Sequence, residues 1–317
     1  MPYRAHNCTQ AVGSVWAVQA SAGNIAWTGI AFGDVGNGIF AAISYQGGVN
    51  NIMTSPDTVN WTARQSGANL GYNDICFGNG LFVAVADTGV GNRVVTSPDG
   101  INWTIQASAA DSGWKAVTFG NGVFVAVANA GLAGQRCMTS PDGINWALQA
   151  GLATEAWHSV CFGLGQFVAV KTFGGGGAIL ATSPDGITWT PQVSALDAFW
   201  EDVVFAPFGT PQFVAVATSL AAGMTSPDGI NWTLQDMTAA IGWTSCAFGN
   251  GVVTAVATGG GPGNATTYTV ATTVDGSTWE LRNAGNTNSW DAIAFGLNKF
   301  VAVSGTGGAG TRVMTSG

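Results

Sequence analysis

One nine-residue motif fixes what this chain can fold into. Thr96 to Thr104 reads TSPDGINWT, and close copies stand at Thr139 to Trp146, Thr182 to Thr190 and Thr225 to Thr233. Looser copies lie at Thr54 to Thr62 (TSPDTVNWT) and Thr272 to Glu280 (TTVDGSTWE), and Thr315-Ser316-Gly317 begins a last one. Successive leading threonines are 42, 43, 43, 43, 47 and 43 residues apart. A period of this length is one four-stranded blade of a β-propeller. It overrides the two-domain expectation that 317 residues would otherwise carry.

Four short segments recur in each unit. The first runs from an aromatic to Phe-Gly, as in Trp114 to Gly120, except that the Trp200 copy ends Phe205-Ala206. The second is FVAV-like (Phe82 to Val85, Phe124 to Val127, Phe167 to Val170), the third leads into Thr-Ser, and the fourth holds the motif tryptophan. Each is short, rich in β-branched and aromatic residues and bounded by Gly, Pro, Asn or Asp, which is the signature of a strand. Their near-continuous apolar character requires cover on both sheet faces, which stacked blades supply.

Seven first-strand aromatics (Trp27, Tyr72, Trp114, Trp157, Trp200, Trp243 and Trp290) each follow a fourth-strand tryptophan by 11 residues. Trp16 comes too early to have three strands before it, and Arg312 to Gly317 is a third strand without a fourth. Residues 13–20 are therefore expected to complete the last blade with 289–317. The prediction is an all-β, seven-bladed propeller of four antiparallel strands per blade, one domain over 1–317, closed by its two ends. Such closure removes open sheet edges.

In Ser97-Pro98-Asp99-Gly100, proline presets the first corner and glycine takes a positive φ. Thr58 stands at that glycine position in the first copy, at a cost of about 1 kcal/mol if it stays left-handed. Asp57, Asp99, Asp142, Asp185, Asp228 and Asp275 are read as structural turn caps, because no second carboxylate travels with them to hold a metal.

A net charge of −8, with 8% charged residues, argues against nucleic-acid partners and anionic membranes, both of which need basic patches. No apolar run approaches a membrane span of about 20 residues. MPYRAHNCTQAVGS lacks a signal-peptide shape, so usual secretion is not expected. Cys8, Cys76, Cys137, Cys161 and Cys246 are odd in number and form no CxxC pair; they read as small packed residues. No metal and no cofactor are expected.

Alternating strand direction sorts the turns onto two faces. FGNG and SPDG turns make one face nearly uniform. The other carries varied connections, including Tyr45 to Gly48, Phe173 with Gly174 to Gly177, and Gly259 to Tyr268. Variable loops on a repeated scaffold are where binding concentrates. Directly after each first-strand aromatic comes a polar residue: Thr28, Asn73, Lys115, His158, Glu201, Thr244 and Asp291. This column is expected to ring the mouth of the central channel on the varied face, either as a ligand site or as a solvated rim. Trp114, Trp157 and Trp200 beside it are candidates for sugar stacking or for packing between blades. Arg93, Arg136 and Arg312 share a third-strand column on that face and are candidate anion contacts.

Catalytic groupings are sparse. His158 and Glu201 fall in adjacent blades and could pair as acid and base, but no nucleophile or carboxylate dyad accompanies them. Two histidines leave little for a triad or a zinc site. The run Gly174 to Gly177 lacks the Lys-Ser/Thr of a phosphate loop. Asn102-Trp103-Thr104 and Asn231-Trp232-Thr233 match the glycosylation sequon incidentally, inside repeated strands.

The recurring Ser-Pro-Asp-Gly-Ile-Asn-Trp resembles the Asp-box (BNR-type) repeat, Ser-x-Asp-x-Gly-x-x-Trp, one residue shorter between Asp and Gly. Sialidases with that repeat have three converging arginines and a tyrosine nucleophile. The aligned arginines of this chain lie on third strands, about two spacings of ~4.8 Å from the channel, so no enzyme is expected. Low-charge propellers with TSPDGxxW repeats are also similar to parts of phage and other virus particles. That resemblance implies a virion component, in a phage tail or capsid, with virion structural proteins or a cell-surface glycan as partners. An assembly-factor propeller docking protein partners, similar to photosystem II stability factors and cytoplasmic, is the alternative. A sialidase-like glycosidase is the weaker one.

Overall fold

The computed structural model describes residues 13–48, 50–172, 180–237, 241–259, 268–308 and 310–317. Cys8, Phe173, Gly174 to Gly177 and most of the stretch between Gly259 and Tyr268 lie outside them. Among the described residues there are 28 strands in seven four-stranded antiparallel sheets, and no helix. Numbered from Trp27, the blades span 27–64, 72–106, 113–149, 157–192, 200–236 and 243–282. The seventh combines Ala292–Gly296, Lys299–Val303 and Val313–Ser316 with Trp16–Gln19. Trp16 pairs with Ser316 and Gln19 with Val313, so the two ends share one sheet, as the repeat count requires.

First strands pack against first strands of both neighbouring blades and form the innermost ring. Within a blade the register follows from two kinds of turn. In blade three, Gly113–Gly120 turns into Val123–Ala130 through Asn121 and Gly122, both at positive φ, as a two-residue hairpin needs. Cys137–Ser140 then turns into Ala147–Gln149 through the SPDG segment. There Asp142 Oδ1 accepts the amides of Ile144 and Asn145, at 2.9 and 2.8 Å, and the Ser140 hydroxyl at 2.9 Å. Thr58 takes a φ of 70°, matching Gly100 at 72°, and its hydroxyl is buried without a partner. The fourth strands mostly begin one residue after the motif tryptophan. Six of the seven motif indoles, Trp103 for example, donate to the carbonyl three residues back (Gly100 O, 2.9 Å), whereas Trp279 Nε1 is buried without a partner.

The core lies between blades. Trp27, Tyr72, Trp114, Trp157, Trp200, Trp243 and Trp290 are all nearly or fully buried, each against the second and third strands of its own blade and the preceding one. Cys76, Cys137, Cys161 and Cys246 are free thiols within this packing. The glycine ending a first strand sits against the phenylalanine of the next blade. A Cβ on Gly120 would fall 2.0 Å from Phe162 Cγ, which is why Phe-Gly recurs around the ring.

Candidate functional site

In the first six blades the strand pairing slips by one residue beside the first-strand aromatic. Trp27 pairs with Ser44 and Gly29 with Ile43; Trp157 pairs with Lys171 and Ser159 with Val170. The polar residue between them is the extra member of a β-bulge, a device that re-aims one side chain without disturbing the rest of a strand. The aromatic can then turn into the blade interface while its polar successor faces the axis.

The six bulge residues and Asp291 of blade seven meet. Thr28, Asn73, Lys115, His158, Glu201, Thr244 and Asp291, one from each blade, line a single cavity of about 90 Å³ at the channel mouth. That holds about three waters, at ~30 Å³ each. Part of this ring clasps the blades together. Thr28 donates to Tyr72 O at 2.8 Å, Asn73 to Trp114 O at 2.9 Å and Thr244 to Trp290 O. In each case the acceptor is the first-strand aromatic of the following blade.

His158 makes the same clasp one residue further on, its Nδ1 lying 2.8 Å from Glu201 O. A carbonyl only accepts, so Nδ1 carries the proton and Nε2 presents a lone pair 3.1 Å from Glu201 Oε2. Burial, and then the Lys115 charge, push the imidazole down to about 3. Burial also raises the Glu201 carboxyl, whose Oε1 accepts the Thr218 hydroxyl at 3.1 Å. Both directions disfavour the charged form of the pair, and Nε2 and Oε2 face one another. The pair expected as an acid and a base is thus brought together, with its polar atoms occupied by one another.

One residue deeper, the column Gly29, Asp74, Ala116, Ser159, Asp202, Ser245 and Ala292 holds two carboxylates that sequence reasoning passed over. The signal was present: two acids among small residues, in a chain with few charges. Asp202 accepts the Ser159 hydroxyl (2.6 Å), the Val203 amide (2.9 Å), the Ser245 hydroxyl (2.9 Å) and the Cys246 amide (2.8 Å), tying blades four, five and six. Asp74 accepts the amides of Ile75 and Val117, both at 2.8 Å. Burial raises both carboxyls despite these bonds, Asp74 to about 7. Burial likewise raises Asp291, which accepts the Gly305 amide. Lys115 enters this acidic mouth without forming an ion pair among the described residues. No group of three His, Cys, Asp or Glu among them is placed to hold a metal.

Other candidates lie elsewhere. Trp114 and Trp200 are 0% exposed and Trp157 2%, so their rings fill the blade interfaces and offer no face to a sugar. Arg93, Arg136 and Arg312 do not line the mouth. Arg93 donates to Gly89 O and Ser112 O at 2.8 Å, and Arg312 to Gly305 O and Gly307 O at 2.8 and 3.2 Å, so both staple loop carbonyls. Arg136 has its Nε and one terminal nitrogen buried. Third-strand side chains sit too far out to converge. The six turn aspartates, Asp57, Asp99, Asp142, Asp185, Asp228 and Asp275, cap their turns on the opposite face.

No protein-family model matches this sequence, and no curated protein does. Solved structures do match the fold. A structure of YCF48 bound to D1 peptide is 14% identical, with a TM-score of 0.69 over 96% of this chain and 99% of that one. Virginiamycin B lyase from Staphylococcus aureus is 9% identical, with a TM-score of 0.75 over 95% of this chain and 99% of that one. The GH74 xyloglucanase from Xanthomonas campestris is 16% identical, with a TM-score of 0.67 over 93% of this chain and 53% of that one. At such identities the likeness is one of fold, and function has to be argued from the site.

Proposed function

We propose that this chain is a non-catalytic binding propeller of a virus particle, and that its varied face docks a protein partner. The observation that carries the reading is the contrast between the two faces. Seven side chains of six residue types, six of them placed by bulges, surround one channel mouth, whereas the opposite face repeats the same turns blade after blade. A mouth of about 90 Å³ is well below the ~300–1,000 Å³ of small-molecule sites, which favours a surface contact over an enclosed substrate. Burial of Trp114, Trp157 and Trp200 disfavours a glycan there. The non-catalytic reading is supported by His158 and Glu201, whose Nε2 and Oε2 lie 3.1 Å apart and engage one another. A protein partner also accords with the YCF48 structure, solved with a peptide. Placement on a virion rests on the TSPDGxxW resemblance.

The test is affinity capture of the tagged full chain from its source, with co-purifying proteins identified by mass spectrometry. Structural proteins of a particle are expected, lost with Lys115→Glu at the mouth and kept with Lys299→Glu beside a plain-face turn. Capture indifferent to Lys115→Glu would refute the docking face. Capture of cellular assembly intermediates without particle proteins would replace the virion with the assembly-factor alternative. Hydrolysis of a glycoside by the purified chain would overturn the non-catalytic reading.

A further inference from the structure

Lys171 breaks a column that is otherwise small and buried. At the end of the second strand the other blades carry Ser44, Ala86, Ala128, Ala217, Ala257 and Ser304, all 0% exposed. In blade four the position holds a lysine whose side chain is 7% exposed. Its ammonium donates to Glu155 Oε2 at 2.9 Å, and the Glu155 side chain is 44% exposed. A cation is therefore held inside the blade by a counterion half in water.

A second departure meets the first. Six residues before each first-strand aromatic, the other connectors carry Ser21, Ser66, Ser108, Ser194, Met237 and Ala284, and the connector into blade four carries Gly151. No side chain fits there, since a Cβ on Gly151 would lie 2.2 Å from Ile187 O. Gly151 and Lys171 line the same cavity, of about 390 Å³, between blade four and the connector that leads into it from blade three. Leu152, Trp157, Leu180, Trp189 and Pro191 give it apolar walls. This volume lies within the range of small-molecule sites. The repeat is altered twice around one hollow.

We infer that this cavity is a binding site for a small apolar carboxylate, a ring or short chain with one anionic group directed at Lys171 Nζ. An ammonium has three donors, and Glu155 takes one of them. The apolar walls suit the ligand body. A buried cation gains most from a second anion on the side away from water, because its existing counterion is screened by solvent. The site is independent of the channel mouth, so it stands or falls apart from the docking of a protein partner.

The experiment is isothermal titration calorimetry of the full chain with naphthalene-2-carboxylate, and with neutral 2-naphthylmethanol as the control. Saturable one-to-one binding of the acid is expected, at least tenfold tighter than the alcohol, as a charge-assisted contact requires. Lys171→Ala restores the residue found at this position in four other blades and should fold. It is expected to weaken the acid at least tenfold and leave the alcohol unchanged. Leu152→Trp, which fills the hollow without touching Lys171, should abolish both, with circular dichroism confirming the fold. No saturable binding of the acid at millimolar concentration would overturn the inference, as would equal affinity for acid and alcohol or an unaffected Lys171→Ala.

Discussion

Alanine in place of Gly120 tests whether blade spacing is set by the Phe-Gly contact. The new Cβ would lie 2.0 Å from Phe162 Cγ and 2.5 Å from its Cβ and Cδ2. Ordinary carbon contacts are ~3.5–4.0 Å, so the overlap exceeds an ångström and the ring must move. Phe162 is not free to swing, because it packs on Phe167 with ring centroids 4.8 Å apart. Overpacking of this kind costs about 1–3 kcal/mol, and the lower backbone entropy of alanine returns roughly 0.5–1. A net loss of about 1 kcal/mol lowers the melting temperature of a chain this size by about 2 °C. Differential scanning calorimetry on Gly120→Ala, Phe162→Ala and the double variant reads it. The double variant has no ring to clash with, so it should be more stable than the two single losses predict, by about 2 kcal/mol, the overpacking cost that is relieved. Blade five provides an internal control, since Ala206 already occupies this position and Phe248 packs edge-on to Phe208 at 5.5 Å. Ala206→Gly should therefore change the melting temperature little. An unchanged or raised melting temperature in Gly120→Ala, or strict additivity in the double variant, would refute the steric argument.

The remaining predictions concern closure, turns and titration. Trp16→Ala removes a buried indole that donates to Gly13 O at 2.9 Å, and should cost about 3–5 kcal/mol, read as a lowered urea midpoint. Thr58→Gly relieves a left-handed threonine and should raise stability by about 1 kcal/mol, measured the same way. Hydrogen bonds from the amides two and three residues on hold Asp57 and Asp142 well below the usual carboxylate range, and hold Asp228 and Asp275 at about 2 against partial burial; Asp99 is also at about 2. A depressed folded pKa stabilises above the unfolded value near 4, and the benefit disappears as pH falls toward 2. Acid unfolding should therefore set in below pH 4, with the SPDG-turn carboxyl carbons titrating last by NMR. Asp74 has the opposite sign. Raised to about 7 by burial, it takes up its proton early, so its contribution to stability falls between pH 4 and pH 7 and is flat above. A carboxyl-carbon shift of Asp74 that titrates near 4 would contradict this.

Repetition made the architecture legible before any coordinate. The spacing of the threonines and the unpaired strand at each end required seven blades and a shared seventh sheet. The turn chemistry at Pro98, Asp99 and Gly100, even with Thr58 standing in for glycine, was local and readable. The ring from Thr28 to Asp291 was also readable as a column, because a position repeated at one point of every blade must fall at one distance from the axis. What the column could not tell was how each side chain turns and what it meets. The bulge beside each aromatic sends Trp114, Trp157 and Trp200 into the interfaces and their successors to the channel, and bulges follow from pairing, not from composition. Arg93 and Arg312 found carbonyls in their own loops, because a long side chain bonds whatever polar group lies within reach. Burial raised the carboxyls of Asp74 and Asp202, which bond to neighbouring blades, and Gly151 and Lys171, 20 residues apart, come to line one cavity. Local sequence sets the unit and its turns; contacts between units, which lie 43 residues or so apart in the chain, decide the chemistry at their seams.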